Sequence, residues 1–567
     1  VIMKHLTKII HQIVFIFLLV TASQLPAQSA NPIRIESVVE ESIDKIFEDF
    51  DGVEKPGAAV AVIKNEEIIF KKGYGSANME YDIPVTPSTI FHVASVSKQF
   101  TVYSILLLAE EGKLSLDDDI RKYIPEVPDF RKPITLRHLA THTSGMRDQW
   151  DLLSMAGWRN DDVITKEHIL KLVAKQKALN FDPGEEYNYC NTGFTLLAEV
   201  VARISGKTFY QFTKENIFEP LQMNNSQFYD DHERIVRNRA YSYEPTKTGY
   251  KKSVLSFANV GATSLFTTVE DLSLWGHHLN RPSVQIKPIV EQMNTLAVLN
   301  NGKTFNGAYG QFVTPYKGIK QIQHGGADAG YRSYLGRFPD QDIAISVFSN
   351  FSNSNPAALS LQVADLFLTS EVEAPKVSKK VKKPKTINLN SKALTAFENY
   401  FWNEESALSR RIYVKNDTLR YNRGGTNETP LAAIAKKKFM MLNVPGLVTV
   451  EFKTEEGKDR MIVVQENQPD FIAEAYEYVE PSKVDLKQYE GSFFSEELDT
   501  RYLFTVFNGV LMAKHRRNSD IPNKMIKADY FNNPAGVQLQ FVRDNTNGII
   551  GINVTTGRVR DLWFQKE

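Results

Sequence analysis

The chain has 567 residues, of which 42% are hydrophobic and 24% are charged, an ordinary composition for a globular protein. This length exceeds a single hydrophobic core, so we expect two to four domains. Sixty-seven basic residues balance sixty-seven acidic ones. That neutrality argues against a nucleic-acid-binding protein, which needs a basic surplus. A single cysteine, Cys190, excludes an intramolecular disulfide and a cysteine-based zinc site.

The N-terminal residues have the features of a secretory signal peptide. Lys4 and Lys8 precede an unbroken apolar run at residues 13–20, and small residues follow that run. We therefore predict a signal peptide over residues 1–27, cleaved after Ala27. The apolar run is much shorter than the ~20 residues that a membrane-spanning helix needs. We expect an exported protein, periplasmic or secreted, without a membrane span after cleavage.

Alternating helical and strand patterns fill residues 31–370, which we predict to be one domain. Residues 57–70 predict a β-hairpin that turns at Lys64-Asn65. Apolar residues at helical spacing predict a helix over residues 91–112, ended by Gly112. The further predicted elements are an amphipathic helix at 196–204, an edge strand at 319–323, a buried strand at 343–350 and a helix at 357–368.

The composition changes after this domain. Residues 371–390 are rich in lysine, contain two prolines and have almost nothing to bury, so they predict a linker. An anionic-surface-binding segment is the alternative interpretation of the lysines.

An internal repeat follows the linker. Leu394 recurs 92 residues later as Leu486, and other apolar residues recur at the same offset. Each unit consists of short alternating runs separated by Asn-Asp or Asn-Gly turns. We predict two small antiparallel β-modules of one fold, at residues 391–482 and 483–567, as barrels in preference to sandwiches.

Ser95 and Lys98 form an S-x-x-K motif at the start of the predicted helix. Positions i and i+3 share one helical face, so the amine can reach the hydroxyl. A serine needs such a base to attack a carbonyl at neutral pH. An isolated S-x-x-K usually occurs by chance at a protein surface, so a catalytic interpretation depends on other motifs.

Two further motifs contain residue types that suit the same chemistry. Tyr189 precedes Asn191 by two positions; a phenol near a cation can shuttle a proton, and an amide can orient a carbonyl. His324-Gly325-Gly326 follows the predicted edge strand, where glycines allow a peptide-like ligand to approach the backbone. Each motif alone also fits an ordinary buried tyrosine or a glycine-rich turn.

Together, the motifs at Ser95, Tyr189 and His324 resemble those of one family in order and separation. That family contains class C β-lactamases, DD-carboxypeptidases, D-aminopeptidases and related esterases. Residues 139–146 (LATHTSGM) also look like its LLTHTSGL segment. The resemblance implies, for residues 31–370, an α/β (α+β) β-lactamase/transpeptidase-like domain with a central antiparallel sheet flanked by helices.

The resemblance also implies roles for individual residues. Ser95 would be acylated, while Lys98 and Tyr189 would share the general-base role and then protonate the leaving group. Asn191 would orient the substrate. The backbone N–H groups of Ser95 and Ala327 would form the oxyanion hole. No metal and no cofactor are implied.

The chain departs from the family where many members have Lys-Thr-Gly. His324-Gly325-Gly326 lacks the lysine charge and the threonine hydroxyl that hold a substrate carboxylate. A histidine is mostly neutral at pH 7, so we do not expect efficient β-lactam turnover.

We therefore predict a serine hydrolase that acts on a small molecule or short peptide, either a D-amino-acid-containing peptide or a small ester. The alternatives are a class C-like β-lactamase and a non-catalytic penicillin-binding or sensor protein. The β-modules would either narrow substrate access or mediate homo-oligomerisation.

Overall fold

The computed structural model describes residues 36–368 and 384–567, except for 405, 407, 425, 426, 445 and 466–469. The predicted signal peptide and most of the predicted linker lie outside these described residues. Among the described residues, no helix is both long and apolar enough to cross a membrane.

The first domain combines helices and strands. Its strands are β1 Ala58–Lys64, β2 Glu67–Tyr74, β3 Ser76–Asn78, β4 Ile83–Pro84, β5 Phe91–His92, β6 Ile164–Thr165, β7 Gln227–Phe228, β8 Tyr243–Thr246, β9 Gly249–Lys252, β10 Phe257–Ala258, β11 Leu265–Thr267, β12 Phe312–Tyr316, β13 Ile319–Asp328, β14 Tyr331–Phe338 and β15 Ile343–Ser349. Its helices are α1 Ser37–Ile46, α2 Ser97–Glu110, α3 Leu136–Ala140, α4 Gln149–Met155, α5 Lys166–Ala174, α6 Asn191–Ser205, α7 Phe209–Thr213, α8 Val269–Asn280, α9 Lys287–Asn294 and α10 Pro356–Asp365.

The central sheet of the described domain has six antiparallel strands in the order β12-β13-β14-β15-β1-β2. The predicted hairpin is confirmed as β1 and β2, and its turn residues Asn65 and Glu66 have left-handed backbones (φ 49° and 73°). The buried strand predicted at 343–350 is β15, which pairs with β1 along its whole length. The expected α/β fold class, with a central antiparallel sheet, is thus confirmed.

Strand β1 is buried on both faces because helices cover each side of the sheet. Val60 and Val62 face one side, in a cluster with residues of α1 and α10. Ala59 and Ala61 face the other side, in the large core that contains α2 and α8. This division follows from the two-residue period of a strand, and it explains why the sequence AAVAVI has no polar position.

Helix α2 passes through the large core, with most of its residues buried. The prediction of one helix over 91–112 was wrong at its N-terminal end. Phe91 and His92 form β5, which pairs with β11, and a 3-10 turn precedes the first helical residue, Ser97. Gly112, just beyond the helix, has a φ of 69°, as expected for a helix-terminating glycine.

The C-terminal part forms two closed barrels, each of eight strands in the described residues, which confirms the predicted β-modules as barrels. A short helix, α11 Ser391–Thr395, precedes the first barrel. Barrel 1 contains β16 Asn399–Asn403, β17 Leu408–Lys415, β18 Thr418–Asn422, β19 Glu428–Ala435, β20 Lys438–Met441, β21 Val448–Glu455, β22 Lys458–Gln465 and β23 Phe471–Tyr476. Barrel 2 contains β24 Gly491–Ser495, β25 Thr500–Phe507, β26 Val510–Lys514, β27 Ile521–Lys527, β28 Tyr530–Asn532, β29 Gln538–Arg543, β30 Ile549–Thr555 and β31 Leu562–Lys566.

The two barrels differ in how they join the rest of the chain. The interior of barrel 1 is a separate apolar cluster around Phe439 and Phe452. The interior of barrel 2 belongs to the same apolar cluster as the core of the first domain. The hydroxyl of Tyr502 in barrel 2 donates to the carbonyl of Met155 at the end of α4, at 3.0 Å. Barrel 2 is therefore packed against the first domain as a structural part of it.

Candidate active site

Ser95 lies in the 3-10 turn between β5 and α2. The preceding residue, Ala94, has a left-handed backbone (φ 46°), which non-glycine residues adopt rarely and often at functional sites. The N–H of Ala94 donates to Nδ1 of His92 (3.2 Å), and the hydroxyl of Ser333 donates to the carbonyl of Val93 (2.7 Å). These contacts fix the turn against β14 and place Ser95 at the wall of a cleft.

Lys98, one turn further along, is completely buried behind Ser95. Its Nζ lies 3.1 Å from Oγ of Ser95, 2.8 Å from Oδ1 of Asn191 and 2.7 Å from the carbonyl oxygen of Ala262. Asn191 and Ala262 can only accept hydrogen bonds through these oxygens, so they take two N–H groups of the amine. In the neutral amine, the lone pair is then left for the hydroxyl of Ser95.

Burial lowers the pKa of Lys98 to about 7. The carboxylates of Asp328 and Asp148 oppose this effect, and the positive charge of Arg558 adds to it. A substantial fraction of Lys98 is therefore neutral near pH 7, and only the neutral form can accept the proton of Ser95.

Asp148 holds Asn191 in the orientation that Lys98 requires. One oxygen of Asp148, Oδ2, accepts the backbone N–H of Asn191 at 2.6 Å and its side-chain Nδ2 at 2.8 Å. The amide nitrogen is thus committed to Asp148, which turns Oδ1 of Asn191 towards Lys98. The other oxygen of Asp148 accepts the N–H of Trp150 (3.0 Å) and caps α4. The buried Asp148 is a positioning residue for the site.

Tyr189 covers the amine from the opposite side. Its ring centroid lies 4.9 Å from Nζ of Lys98 and stacks at 4.2 Å on the ring of His142. Nδ1 of His142 accepts the N–H of Cys190 at 3.0 Å, which fixes the Tyr189 segment. Burial raises the pKa of Tyr189 well above its usual value, although a hydrogen bond with Ser95 opposes the shift. Tyr189 is therefore protonated at neutral pH, whereas Lys98 can be neutral and act as the base.

The second half of β13 borders the cleft. Strand β12 pairs only with residues 319–323, so the prediction of an edge strand there was wrong. The open edge belongs to residues 324–328, which pair with β14 on their other side. An added Cβ at Gly326 would lie 2.3 Å from the carbonyl oxygen of Val93, so only glycine allows β13 to approach the turn that carries Ser95. At Gly325 the nearest atom would lie 3.6 Å away.

His324 supplies no positive charge to the cleft. Its Nδ1 lies 2.6 Å from the carbonyl oxygen of Gly325, and the ring is buried. Burial and the nearby charge of Lys98 lower the pKa of His324 to about 3, so the imidazole is neutral at physiological pH. Nε2 has no hydrogen-bond partner within the described chain.

The cleft has a volume of about 450 Å³ and an aromatic wall as well as a polar one. The residues predicted from sequence that line it are Ser95, Tyr189, Asn191, His324, Gly325, Gly326 and Ala327. Its aromatic lining includes Trp150, Phe312 and Tyr334, and its charged lining includes Asp328, Arg332 and Arg558. Lys98 lies behind this wall, in contact with Ser95.

Sequence reasoning missed Asp148, Asp328 and Arg558. Asp148 follows the LATHTSGM segment by two residues. Its position close to that motif was the only feature of the sequence that pointed to it. Asp328 lies two residues beyond the glycine pair. Arg558 comes from barrel 2, more than 350 residues from Tyr189 in sequence, and no local pattern marks it.

Comparisons with known proteins show which family the chain resembles in sequence and fold. A D-aminopeptidase from Gluconobacter oxydans (strain 621H) is 27% identical over 320 residues, which span 56% of this chain and 60% of that relative. A D-aminopeptidase from Brucella canis is 27% identical over 313 residues, again 60% of the relative's length. The match therefore spans less than two thirds of these curated relatives.

Among solved structures, the octameric penicillin-binding protein homologue from Pyrococcus abyssi has a similar fold, with a TM-score of 0.53 and 24% identity, over 78% of this chain and 99% of that one. The relatives' names and the family model indicate a serine hydrolase. The Beta-lactamase family model matches residues 43–368, more than half of the sequence, and the chain therefore belongs to the beta-lactamase family.

Proposed function

We propose that the protein is an exported serine hydrolase that forms an acyl-enzyme at Ser95 and hydrolyses amide or ester bonds. Its proposed substrates are D-amino-acid-containing peptides or small esters. The observation that carries this proposal is the distance of 3.1 Å between Nζ of Lys98 and Oγ of Ser95, with the amine buried and its pKa lowered to about 7.

The proposed reaction has two halves. Oγ of Ser95 attacks the carbonyl carbon while its proton moves to Nζ of Lys98, and the N–H groups of Ser95 and Ala327 stabilise the oxyanion. As the bond to the leaving nitrogen or oxygen breaks, Tyr189 donates its proton to that atom and regains one from Lys98. Water then attacks the acyl-enzyme with the same groups acting in reverse, which releases the acid and restores Ser95.

The substrate class rests on similarity and on the shape of the cleft. The curated relatives are named D-aminopeptidases, although the match covers only 60% of their length. The open edge of β13 at 324–328 can pair with an extended peptide-like substrate. Export rests on the sequence alone, and self-association through the barrels stays a prediction.

Two alternatives differ in how the site would treat a penicillin. A class C-like β-lactamase would hydrolyse it, but the neutral His324 provides no cation where many family members have lysine. A non-catalytic sensor would keep it as a stable adduct. Because that acylation also needs Ser95 and a base, turnover of the ester or the anilide is what separates the hydrolase from the sensor.

The test uses the purified protein beside Ser95→Ala, with Ser104→Ala in the following helix, α2, as a matched control. Ser104 is buried and donates to the carbonyl of Phe100, away from the cleft. Each protein is treated with a fluorophosphonate probe, 4-nitrophenyl acetate, a D-amino-acid 4-nitroanilide and a fluorescent penicillin. We expect Ser95→Ala to lose labelling and at least about 1,000-fold of its turnover, while Ser104→Ala retains both.

Equal turnover by wild type and Ser95→Ala would overturn the assignment of the nucleophile. Rapid penicillin hydrolysis would favour the β-lactamase alternative. A stable penicillin adduct without turnover of the ester or the anilide would favour the sensor.

A further inference from the structure

Barrel 2 contributes a positively charged residue, Arg558, to the cleft of the first domain. The turn between β30 and β31, residues 556–561, reaches the wall that contains Ser95 and Tyr189. The guanidinium carbon of Arg558 lies 5.0 Å from the ring centroid of Tyr189. Its charge is close enough to lower the pKa of Lys98. Arg558 is thus adjacent to the reacting groups although it belongs to another domain.

The backbone of this turn is held in place by the first domain. The carbonyl of Arg558 accepts Nδ2 of Asn180 at 2.9 Å and the backbone N–H of Asp148 at 3.2 Å. The carbonyl of Gly557 accepts Nδ2 of Asn188 at 3.2 Å. The backbone that carries Arg558 is therefore fixed at the cleft, and its guanidinium lies against the ring of Tyr189.

The guanidinium itself has no acidic partner. In the described part of the chain, no carboxylate lies within ion-pair distance of Arg558 and no hydrogen bond uses its side chain. Its neighbours in the same interface are paired: Arg560 with Glu186 at 2.8 Å, and the buried Arg147 with Glu497 at 2.7 Å. Arg558 thus has its N–H donors free and faces the substrate space.

The carboxylate that lines the cleft does not neutralise this cation. Asp328 accepts a hydrogen bond from Thr263 and interacts electrostatically with Lys98 and Arg332. When Lys98 is neutral, Arg332 still acts on Asp328, whereas Arg558 acts through space on the buried Asp148 and keeps its own N–H donors free for a ligand.

We propose that Arg558 binds a carboxylate of the substrate, so that the protein prefers acidic substrates such as peptides with a free terminal carboxylate or half-esters of dicarboxylic acids. An arginine can bind a carboxylate through two parallel hydrogen bonds, which fixes orientation as well as charge. This anchor replaces the lysine and threonine that His324-Gly325-Gly326 lacks. A substrate with an amine at that place is repelled. The inference rests on the proposed hydrolase function.

The experiment compares substrates that differ only in a carboxylate. One pair is 4-nitrophenyl hydrogen succinate and 4-nitrophenyl butyrate, and the other is N-acetyl-D-alanyl-D-alanine and its C-terminal amide. For each pair, the ratio of kcat/KM for the acid to kcat/KM for the neutral partner is measured for wild type, Arg558→Gln, Arg558→Glu and Arg332→Gln. Taking the ratio cancels effects on folding and on the pKa of Lys98.

We expect Arg558→Gln to lower the ratio about 10- to 100-fold for at least one pair, mainly through KM, and Arg558→Glu to lower it further. Arg332→Gln, which removes the other cation of the wall, is expected to change the ratio by less than about threefold. An unchanged ratio in Arg558→Gln, or a larger loss in Arg332→Gln, would overturn the anchor. Lack of fluorophosphonate labelling of wild type would instead overturn the proposed function, and the anchor with it.

Discussion

At the scale of single residues, the site depends on an amine that is buried without a tight ion pair. Lys98 has oxygen acceptors from an amide and a carbonyl, and the nearest carboxylates act on it only through space. This arrangement permits the neutral amine near pH 7, because a direct ion pair would stabilise the charged form.

The pH dependence of activity tests whether Lys98 is neutral near pH 7. At pH values below about 7, Lys98 is protonated and cannot accept the proton of Ser95, so we expect kcat/KM for 4-nitrophenyl acetate to rise with pH, with a midpoint near 7. Asp328→Asn removes a negative charge that favours protonated Lys98, so we expect the midpoint to move to lower pH by up to about one unit. The exposed Asp129→Asn is the control. A midpoint that stays or rises in Asp328→Asn would contradict the assignment of Lys98.

The residues that meet at the cleft could be predicted from sequence because each belongs to a short motif. Ser95 and Lys98 are three positions apart, and Tyr189 and Asn191 are two apart, so short sequence patterns identify them. Asp148 could not be predicted in this way, because its role comes from hydrogen bonds to Asn191 across 43 positions. Arg558 was equally inaccessible, because the turn that presents it belongs to a different module.

At the scale of elements, the decisive contact is between β13 and the turn that carries Ser95. Glycine is needed at only one of the two adjacent positions. At Gly326 an added Cβ would meet the carbonyl oxygen of Val93 at 2.3 Å and Oγ of Ser333 at 2.4 Å. At Gly325 the nearest atom would lie 3.6 Å away, in ordinary contact.

We therefore expect Gly326→Ala to destabilise the protein by about 1–3 kcal/mol, since overpacking forces the backbone to shift. The same shift displaces Ser95, so its fluorophosphonate labelling rate should fall together with the melting temperature. Gly325→Ala should leave the melting temperature within about 1 °C of wild type. Similar melting temperatures for the two variants, measured by differential scanning fluorimetry, would argue against the close approach.

Sequence periodicity predicted the elements that consist of one continuous buried apolar run, such as β1 and β15. It failed at the start of α2, where Phe91 and His92 form a short strand that pairs with β11. It also placed the sheet edge on the wrong half of β13, because the short β12 has no strong pattern of its own. In each case a contact between distant segments decided the outcome.

At the scale of the whole molecule, the two barrels are alike in fold and unequal in attachment. Phe439 in β20 and Phe531 in β28 occupy equivalent positions of the repeat and are both completely buried. Phe439 packs in the separate cluster of barrel 1, whereas Phe531 packs in the cluster that continues into the first domain.

Phe439→Ala and Phe531→Ala should each cost about 3–5 kcal/mol locally. We expect Phe531→Ala to lower the temperature at which ester hydrolysis is lost, because barrel 2 and the first domain share a core. Phe439→Ala should lower the temperature of the calorimetric transition in which barrel 1 unfolds, and hydrolysis should persist above that transition. Loss of hydrolysis at the same reduced temperature in both variants would contradict this separation.

The unequal attachment of the barrels has a consequence for how the protein can change. Substitutions in barrel 2 can disturb residues around the Arg147–Glu497 ion pair and residues that line the cleft. Among the described residues, barrel 1 contributes nothing to the cleft or to that ion pair, so barrel 1 is the better place for grafting a recognition sequence or a tag. A chimera built there would gain a new specificity while the chemistry at the cleft is inherited unaltered.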